Sequence, residues 1–266
     1  MVLTSASTNW MLGIRKLIDL PRSSELVSGS ETLNRPQHPL LCPLGKDITY
    51  QPFELPNGEP STPDFVPPGL AYLLSSGLAP EIIDAFLKLR DYSLAIERYE
   101  NRSTLPACMI DNRNWVLHRL LSLPSTSSLL HRIDEDFRCI LLVYEACCLA
   151  SVMYCIHVVY PTPRSRNSRE RLLPLLQEAI TRVDLLRLDR SLAELVIWCV
   201  VIGGIASTGP RTFERLCFLT QLNMLSTGLG LKDWLEVKAV MRRFAWVGSA
   251  CDGGGERLWD EMVRLI

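Results

Sequence analysis

The sequence predicts an all-α protein, an irregular helical bundle of about eight to ten helices with a long Pro-rich connection near the N-terminus. Three observations carry this. Apolar residues recur at three- and four-residue spacing in one segment after another. No segment of useful length alternates apolar and polar residues. The punctuation between periodic segments is that of helix ends, with Pro, Asp, Ser or Thr at the starts and Gly at the stops. Ten of the 17 Pro fall between positions 21 and 68, where helical periodicity is absent. The chain therefore divides into an N-terminal helix at 1–20, an irregular connection at 21–68 and a helical domain at 69–266 that forms one unit with 1–20.

Taken in order, Thr8 is placed to cap a first helix with Trp10, Ile14, Leu17 and Ile18 on one face, stopped by Pro21. A short helix is expected at 69–76. Pro80 begins a longer one with Ile82, Phe86, Leu89, Ser93 and Ile96 inward and Asn101 at its end. Asp111 caps the next, whose inner face is Val116, Leu117, Leu120 and Leu121, before Pro124 and a loop at 125–128. A long central helix runs from near Asp134 to Tyr160, followed by a linker at 161–167. Ser168 caps a helix with Leu172, Leu176, Ile180 and Val183 on one face, and Pro174 is tolerated in it as a first-turn residue.

The stretch from 194 to 259 organises the rest. It opens on an unbroken apolar run, 195–202, that leads into Gly203–Gly204. Each Gly inside a helix costs about 1 kcal/mol relative to Ala, so the pair implies that another helix needs the space a side chain would fill. Pro210 is suited to the first position of the following helix, with Phe213, Leu216, Cys217, Thr220 and Met224 as its inner face and Gly228 and Gly230 at its end. A third helix starts near Lys232–Asp233–Trp234 and presents Val237, Val240 and Phe244. Trp246, Cys251, a helix-entry turn at 253–255 and Leu258–Trp259 close the chain.

Composition excludes several classes. With 47% hydrophobic residues and a net charge of −1 from 28 basic and 29 acidic side chains, the chain is neither disordered nor a basic nucleic-acid binder. Residues 1–7 have no charged-then-apolar leader pattern. Nine scattered Cys suit a reducing intracellular compartment. The run 139–160 is long enough to span a membrane, but its Cys, Ser and Tyr content and the acidic flank at 134–136 favour a buried core helix.

The order of the pieces is informative. Trp198 and Gly203–Gly204 precede an aromatic-bearing helix with Phe213, Phe218 and Gln221; then come Leu229–Gly230, Trp234, Phe244–Ala245–Trp246, Cys251–Asp252 and Leu258–Trp259. Upstream lie the segment at 114–124, which contains His118–Arg119–Leu120–Leu121–Ser122–Leu123–Pro124, and the central helix at 138–160. This set resembles the fungal-specific regulatory domain of Zn2Cys6 (zinc-cluster) transcription factors. The resemblance implies a non-enzymatic helical effector region involved in transcription regulation. It would reside in the nucleus, with the cytoplasm as alternative, and act through proteins of the transcription machinery or a small effector. The family's zinc cluster is absent, since no Cys-x2-Cys pair occurs anywhere. Direct DNA binding is therefore not expected of this chain, nor is a membrane contact. A helical enzyme of unknown reaction and a membrane-associated helical protein are the competing readings.

The search for chemistry yields no catalytic, cofactor-binding or metal-binding residue and no implied cofactor. Cys139, Cys147, Cys148 and Cys155 read as small apolar residues of one helix. His38, His118, His131 and His157 have no His or acid partner at metal-ligand spacing. Ser249 lacks the second Gly and the strand of a nucleophile elbow. The turn at 253–255 with Arg257 lacks the Lys–Ser/Thr of a phosphate loop. Arg164, Arg166, Arg169 and Arg171 form one basic cluster without interleaved aromatics, which reads as a solvated loop. Trp198, Trp234, Trp246 and Trp259 read as core anchors.

Overall fold

The computed structural model describes residues 49–51, 66–100, 108–124, 126, 135–159, 165–207 and 212–265. Among them it is an all-α bundle with no strand. The elements are α1 (Pro68–Ser75), α2 (Pro80–Tyr99), α3 (Cys108–Leu121), α4 (Glu135–Tyr154) with a π-helical turn at Cys155–Val159, α5 (Ser165–Thr181), α6 (Arg190–Ala206), α7 (Phe213–Leu229), α8 (Trp234–Met241) and α9 (Gly248–Leu265). The helix expected at 1–20, nearly all of the 21–68 connection, the ends expected at Asn101 and Asp134, most of the 125–128 loop and Pro210 lie outside the described residues. The short piece at 49–51 is pinned to α3: Gln51 N–H donates to Asn112 Oδ1 at 2.9 Å, and Asn112 Nδ2 donates to the Gln51 carbonyl at 2.7 Å.

Helix α6 is the hub. It packs against α1, α4, α5, α7, α8 and α9, and every residue from Leu192 to Gly204 is buried. A helix apolar all round has no solvent face and belongs inside a bundle. Asp189 starts it by accepting the Leu192 N–H at 2.8 Å, a cap worth about 1 kcal/mol. Helix α4 is its partner at the centre. Together with the π-turn it forms one apolar run, Phe137–Val159, that is long and apolar enough to cross a membrane by length and composition, and most of it is buried inside the bundle.

The glycines explain the closeness of the helices around α6. A Cβ on Gly203 would run into the Phe218 ring of α7, and one on Gly204 into the Leu258 methyls of α9. A Cβ on Gly69 of α1 would meet the Ser191 carbonyl at 2.6 Å. Each glycine is a notch that receives a large side chain or backbone from the neighbouring helix.

Several boundaries and faces differ from the sequence reading, each for a physical reason. Helix α3 begins at Cys108, so Asp111 is a first-turn residue rather than the cap; its charge still suits the helix N-terminus. Helix α5 begins at Ser165, inside the expected linker, which leaves Ser168 within the helix and Pro174 at its middle. Pro174 cannot donate the helical hydrogen bond there, and its ring lies on the exposed side, where water is at hand. Helix α7 starts at Phe213, with Thr212 accepting the Arg215 N–H as its cap. Its buried stripe is Phe218, Leu219, Leu222, Leu225, Ser226 and Leu229. The stripe expected to face inward is outside instead, with Phe213 73%, Leu216 41% and Met224 45% exposed. Both stripes have helical periodicity, and the one with more Leu and a Phe for the Gly203 notch buries more apolar area. Gly230 ends α7 with φ 71°, in the left-handed region, and Leu231 N–H reaches back to the Ser226 carbonyl at 2.9 Å, a Schellman stop. Finally, 253–255 is not an entry turn. It lies within α9, where a Cβ on Gly255 would overlap the Trp234 ring.

Candidate functional site

Between α8 and α9 the chain crosses the bundle as a short non-helical strap, residues 242–247. Tight turns form it, with Arg243 N–H donating to Val240 O and Phe244 N–H to Met241 O, each at 3.0 Å. Phe244, Ala245, Trp246 and Val247 are buried, so the strap covers core rather than running over solvent.

Polar contacts from three helices hold it. Arg90 Nε of α2 donates to the Arg243 carbonyl at 3.0 Å. Trp198 Nε1 of α6 donates to the Ala245 carbonyl at 2.9 Å. Trp246 Nε1 donates to Asp252 Oδ1 of α9 at 2.9 Å, while Lys238 Nζ donates to the other Asp252 oxygen at 2.6 Å. Gly248 N–H, at the start of α9, donates to Glu97 Oε1 of α2 at 2.8 Å. This places a carboxylate at a helix N-terminus, where it is electrostatically favoured. The innermost contact is Glu194 of α6, only 3% exposed, which accepts from Arg243 Nη1 and, at 3.3 Å, from Arg190 Nε. A carboxylate so buried persists only when paired.

Beneath the strap lies a cleft walled by Leu70, Phe86, Leu89, Cys147, Leu195, Trp198 and Phe244, with Arg90 and Ser151 as its polar members. Its space open to the centre of a water molecule is about 20 Å³. That is room for one ordered water, which needs roughly 10–15 Å³ by this measure. Ser151 is 1% exposed and its hydroxyl has no hydrogen-bond partner. A helical serine usually bonds back to the carbonyl four residues earlier, as Ser93 does to Leu89 O at 2.8 Å. Ser93 in turn accepts from Tyr154 OH at 2.9 Å, so that buried pair is satisfied while Ser151 is not.

The thiols near the cleft are not activated. Cys199 Sγ lies 3.8 Å from Cys147 Sγ, and burial, the largest cause, pushes the Cys147 thiol well up from its ordinary range. Burial likewise pushes Cys251 up to about 12. A thiol held protonated is a poor nucleophile. Cys148 and Cys155 are buried too, and their thiols are raised chiefly by burial. Cys139 is half-buried.

The residues weighed from the sequence are scattered. His118 is exposed on α3. His157 sits in the π-turn; burial, then the nearby Arg169, lowers its pKa, against a hydrogen bond to the Ala250 backbone that raises it. Its Nε2 is buried and has no partner. Ser249 and Arg257 are exposed on α9. Arg169 and Arg171 lie on α5, and the side chains of Arg164, Arg166, His38 and His131 lie outside the described residues. Among the described residues no group of three or more His, Cys, Asp or Glu is placed to hold a metal ion. Trp198, Trp246 and Trp259 are buried and Trp234 half-buried. The rings of Trp198 and Phe244 meet tilted at 6.2 Å between centroids, and those of Trp234 and Trp246 at 6.1 Å.

Sequence reasoning overlooked the residues that matter most here. Glu194 carried a signal, because a lone carboxylate inside the apolar run of α6 demands a cation. Arg243 and Arg90 carried none that separates them from other surface arginines. Ser151 was indistinguishable from any small helical residue. No family model matches the sequence, and no curated protein or solved structure matches it.

Proposed function

We propose that the chain is a non-enzymatic regulatory domain, similar to the effector region of fungal zinc-cluster transcription factors, that takes part in transcription regulation in the nucleus. The observation that carries the reading is the strap. It is a short irregular segment, held by polar contacts from α2, α6 and α9 over a small cleft that is mostly apolar. Regulation through it requires a second, displaced arrangement of the strap, whose population a ligand or partner that prefers it would raise. The exposed apolar stripe of Phe213, Leu216 and Met224 on α7 supports a protein partner from the transcription machinery. The net charge of −1 and the missing Cys-x2-Cys pairs favour regulation without direct DNA contact.

The test is a reporter assay. The chain, fused to an unrelated DNA-binding module, is expressed in a fungal host beside that module alone. A several-fold change in reporter output in either direction is expected. Equal output from fusion and module, at equal protein level, rules the reading out.

A further inference from the structure

We infer that the outward face of α7 pairs with the same face of a second copy of this chain, the two helices antiparallel about a two-fold axis. The inference deepens the regulatory reading above, on which its biological sense rests, by naming a second copy as the protein that the exposed stripe takes. The face is continuous. At about 100° per residue, Phe213, Leu216, Thr220, Met224, Thr227 and Gly228 share one sector of the helix, about 120° wide, opposite the buried stripe, and all six are exposed. From Leu216 to Leu231 the sequence holds no charged residue. A helix face in water ordinarily carries charge. Uncharged surface of this length, with an exposed Phe, Leu and Met on it, marks a docking face.

Gly228 says what fits the face. A glycine inside a helix weakens it relative to Ala, and elsewhere in the bundle neighbouring helices fill the notches: Gly203 takes Phe218, Gly204 takes Leu258 and Gly255 takes Trp234. Gly228 is likewise helical, yet a Cβ there meets nothing within 4 Å. Its knob lies outside the chain. The same face supplies one, because Phe213, 73% exposed, stands about 22 Å earlier along the helix axis. A two-fold interface requires one patch to carry both knob and hole. Antiparallel pairing centred between Thr220 and Gln221 sets each Phe213 on the other copy's Gly228, with the small Thr220 side chains at the closest approach. It also sets the Glu214 end of one face toward the Lys232 end of the other and opposes the two helix dipoles. Parallel pairing brings like ends together and leaves both notches empty. A single helix face buries less than the roughly 800 Å² per partner of a standard interface, so the dimer is weak and forms at micromolar concentrations or above.

The experiment is sedimentation velocity of the full chain from low micromolar to several hundred micromolar. A reversible monomer–dimer equilibrium is expected. Phe213→Ala, which removes the knob, and Gly228→Leu, which fills the hole, are each expected to weaken dimerisation tenfold or more. Met224→Lys, which sets like charges across the face, is expected to do the same. Leu235→Ala, on the exposed side of α8, is expected to leave it unchanged. All four positions are exposed, and helical circular dichroism equal to the parent's checks that each variant is folded. A chain that is monomeric at every concentration overturns the inference, whether the stripe stays bare or another segment or protein covers it. So does a dimer that survives both Phe213→Ala and Gly228→Leu. A reporter response from a chain that stays monomeric defeats this inference alone, whereas a silent reporter defeats the regulatory reading.

Discussion

The two sides of α6 are built on different principles. Toward α7 and α9 it presents Gly203 and Gly204, and each notch is filled by an apolar side chain, Phe218 or Leu258. Toward the strap it presents Glu194 and Trp198, whose contacts are charged or hydrogen-bonded, and Leu195 and Trp198 wall a small void there. The first side has no freedom, because close-packed interiors resist any change in volume. The second is held by a few directional bonds, some of them to the partly exposed Arg243 and Asp252, and it keeps unfilled space and an unsatisfied hydroxyl. The difference teaches that one helix can serve both as the rigid spine of a domain and as one wall of its deformable part.

The largest effects should come from the packed side. Phe218→Ala empties the Gly203 notch, and Trp259→Ala removes a buried anchor of α9; each should cost about 3–5 kcal/mol. Chemical denaturation beside the parent measures this, and a loss under 1 kcal/mol in both would break the comparison. Next, Gly204→Val forces branched carbon against Leu258, and overpacking of this kind costs about 1–3 kcal/mol, more than the helix-propensity gain of under 1 kcal/mol. Gly228→Ala is the control of opposite sign. It too is helical, but a Cβ there meets nothing within 4 Å, so a gain of up to about 1 kcal/mol is expected.

On the strap side, Glu194→Gln should cost less, about 1–2 kcal/mol, because Arg243 remains half in water and recovers hydration. The signature is local. Amide hydrogen exchange should quicken across 242–248 while the buried amides of α6 keep pace only with the global loss. Uniform acceleration would mean that strap and spine are one unit. Ser151→Ala should raise stability by up to about 1 kcal/mol, since it deletes an unsatisfied buried group; a loss of more than 1 kcal/mol would show that the hydroxyl is already well bonded.

The smallest effect is on pH dependence. His157 has its pKa lowered from the ordinary 6.5, first by burial. The unfolded chain therefore binds the proton more readily than the folded one. The contribution to stability is complete above the unfolded value near 6.5 and is lost as pH falls from there through the lowered folded value. His157→Gln should flatten the decline of stability on the acid side of neutrality, read from denaturation midpoints at a series of pH values. An identical slope in the variant would remove His157 from the account.

What was legible in the sequence follows the same division. The packed side was readable, because a Gly pair in an apolar run has few physical explanations and the notch is the commonest. Helix class, the central place of the 194–259 stretch and a helix start near 232–234 follow from periodicity and caps. The inward face of α7 was misread because Phe213, Leu216 and Met224 repeat as regularly as Phe218, Leu222 and Leu225, and period alone does not say which stripe meets the core. The strap side was nearly invisible. Arg90 and Arg243, or Glu97 and Gly248, are more than 150 positions apart, and nothing local to either residue announces its partner.

Synthesis order makes the Gly204 notch consequential. The ribosome delivers α6, apolar on every side, well before Leu258 and Trp259 exist. Until α7 and α9 have emerged, the notched faces of α6 are open to any other apolar surface in the cell, the condition under which nascent chains aggregate or engage chaperones. Prompt emergence of the later helices therefore shortens the time in which this earlier one stands uncovered.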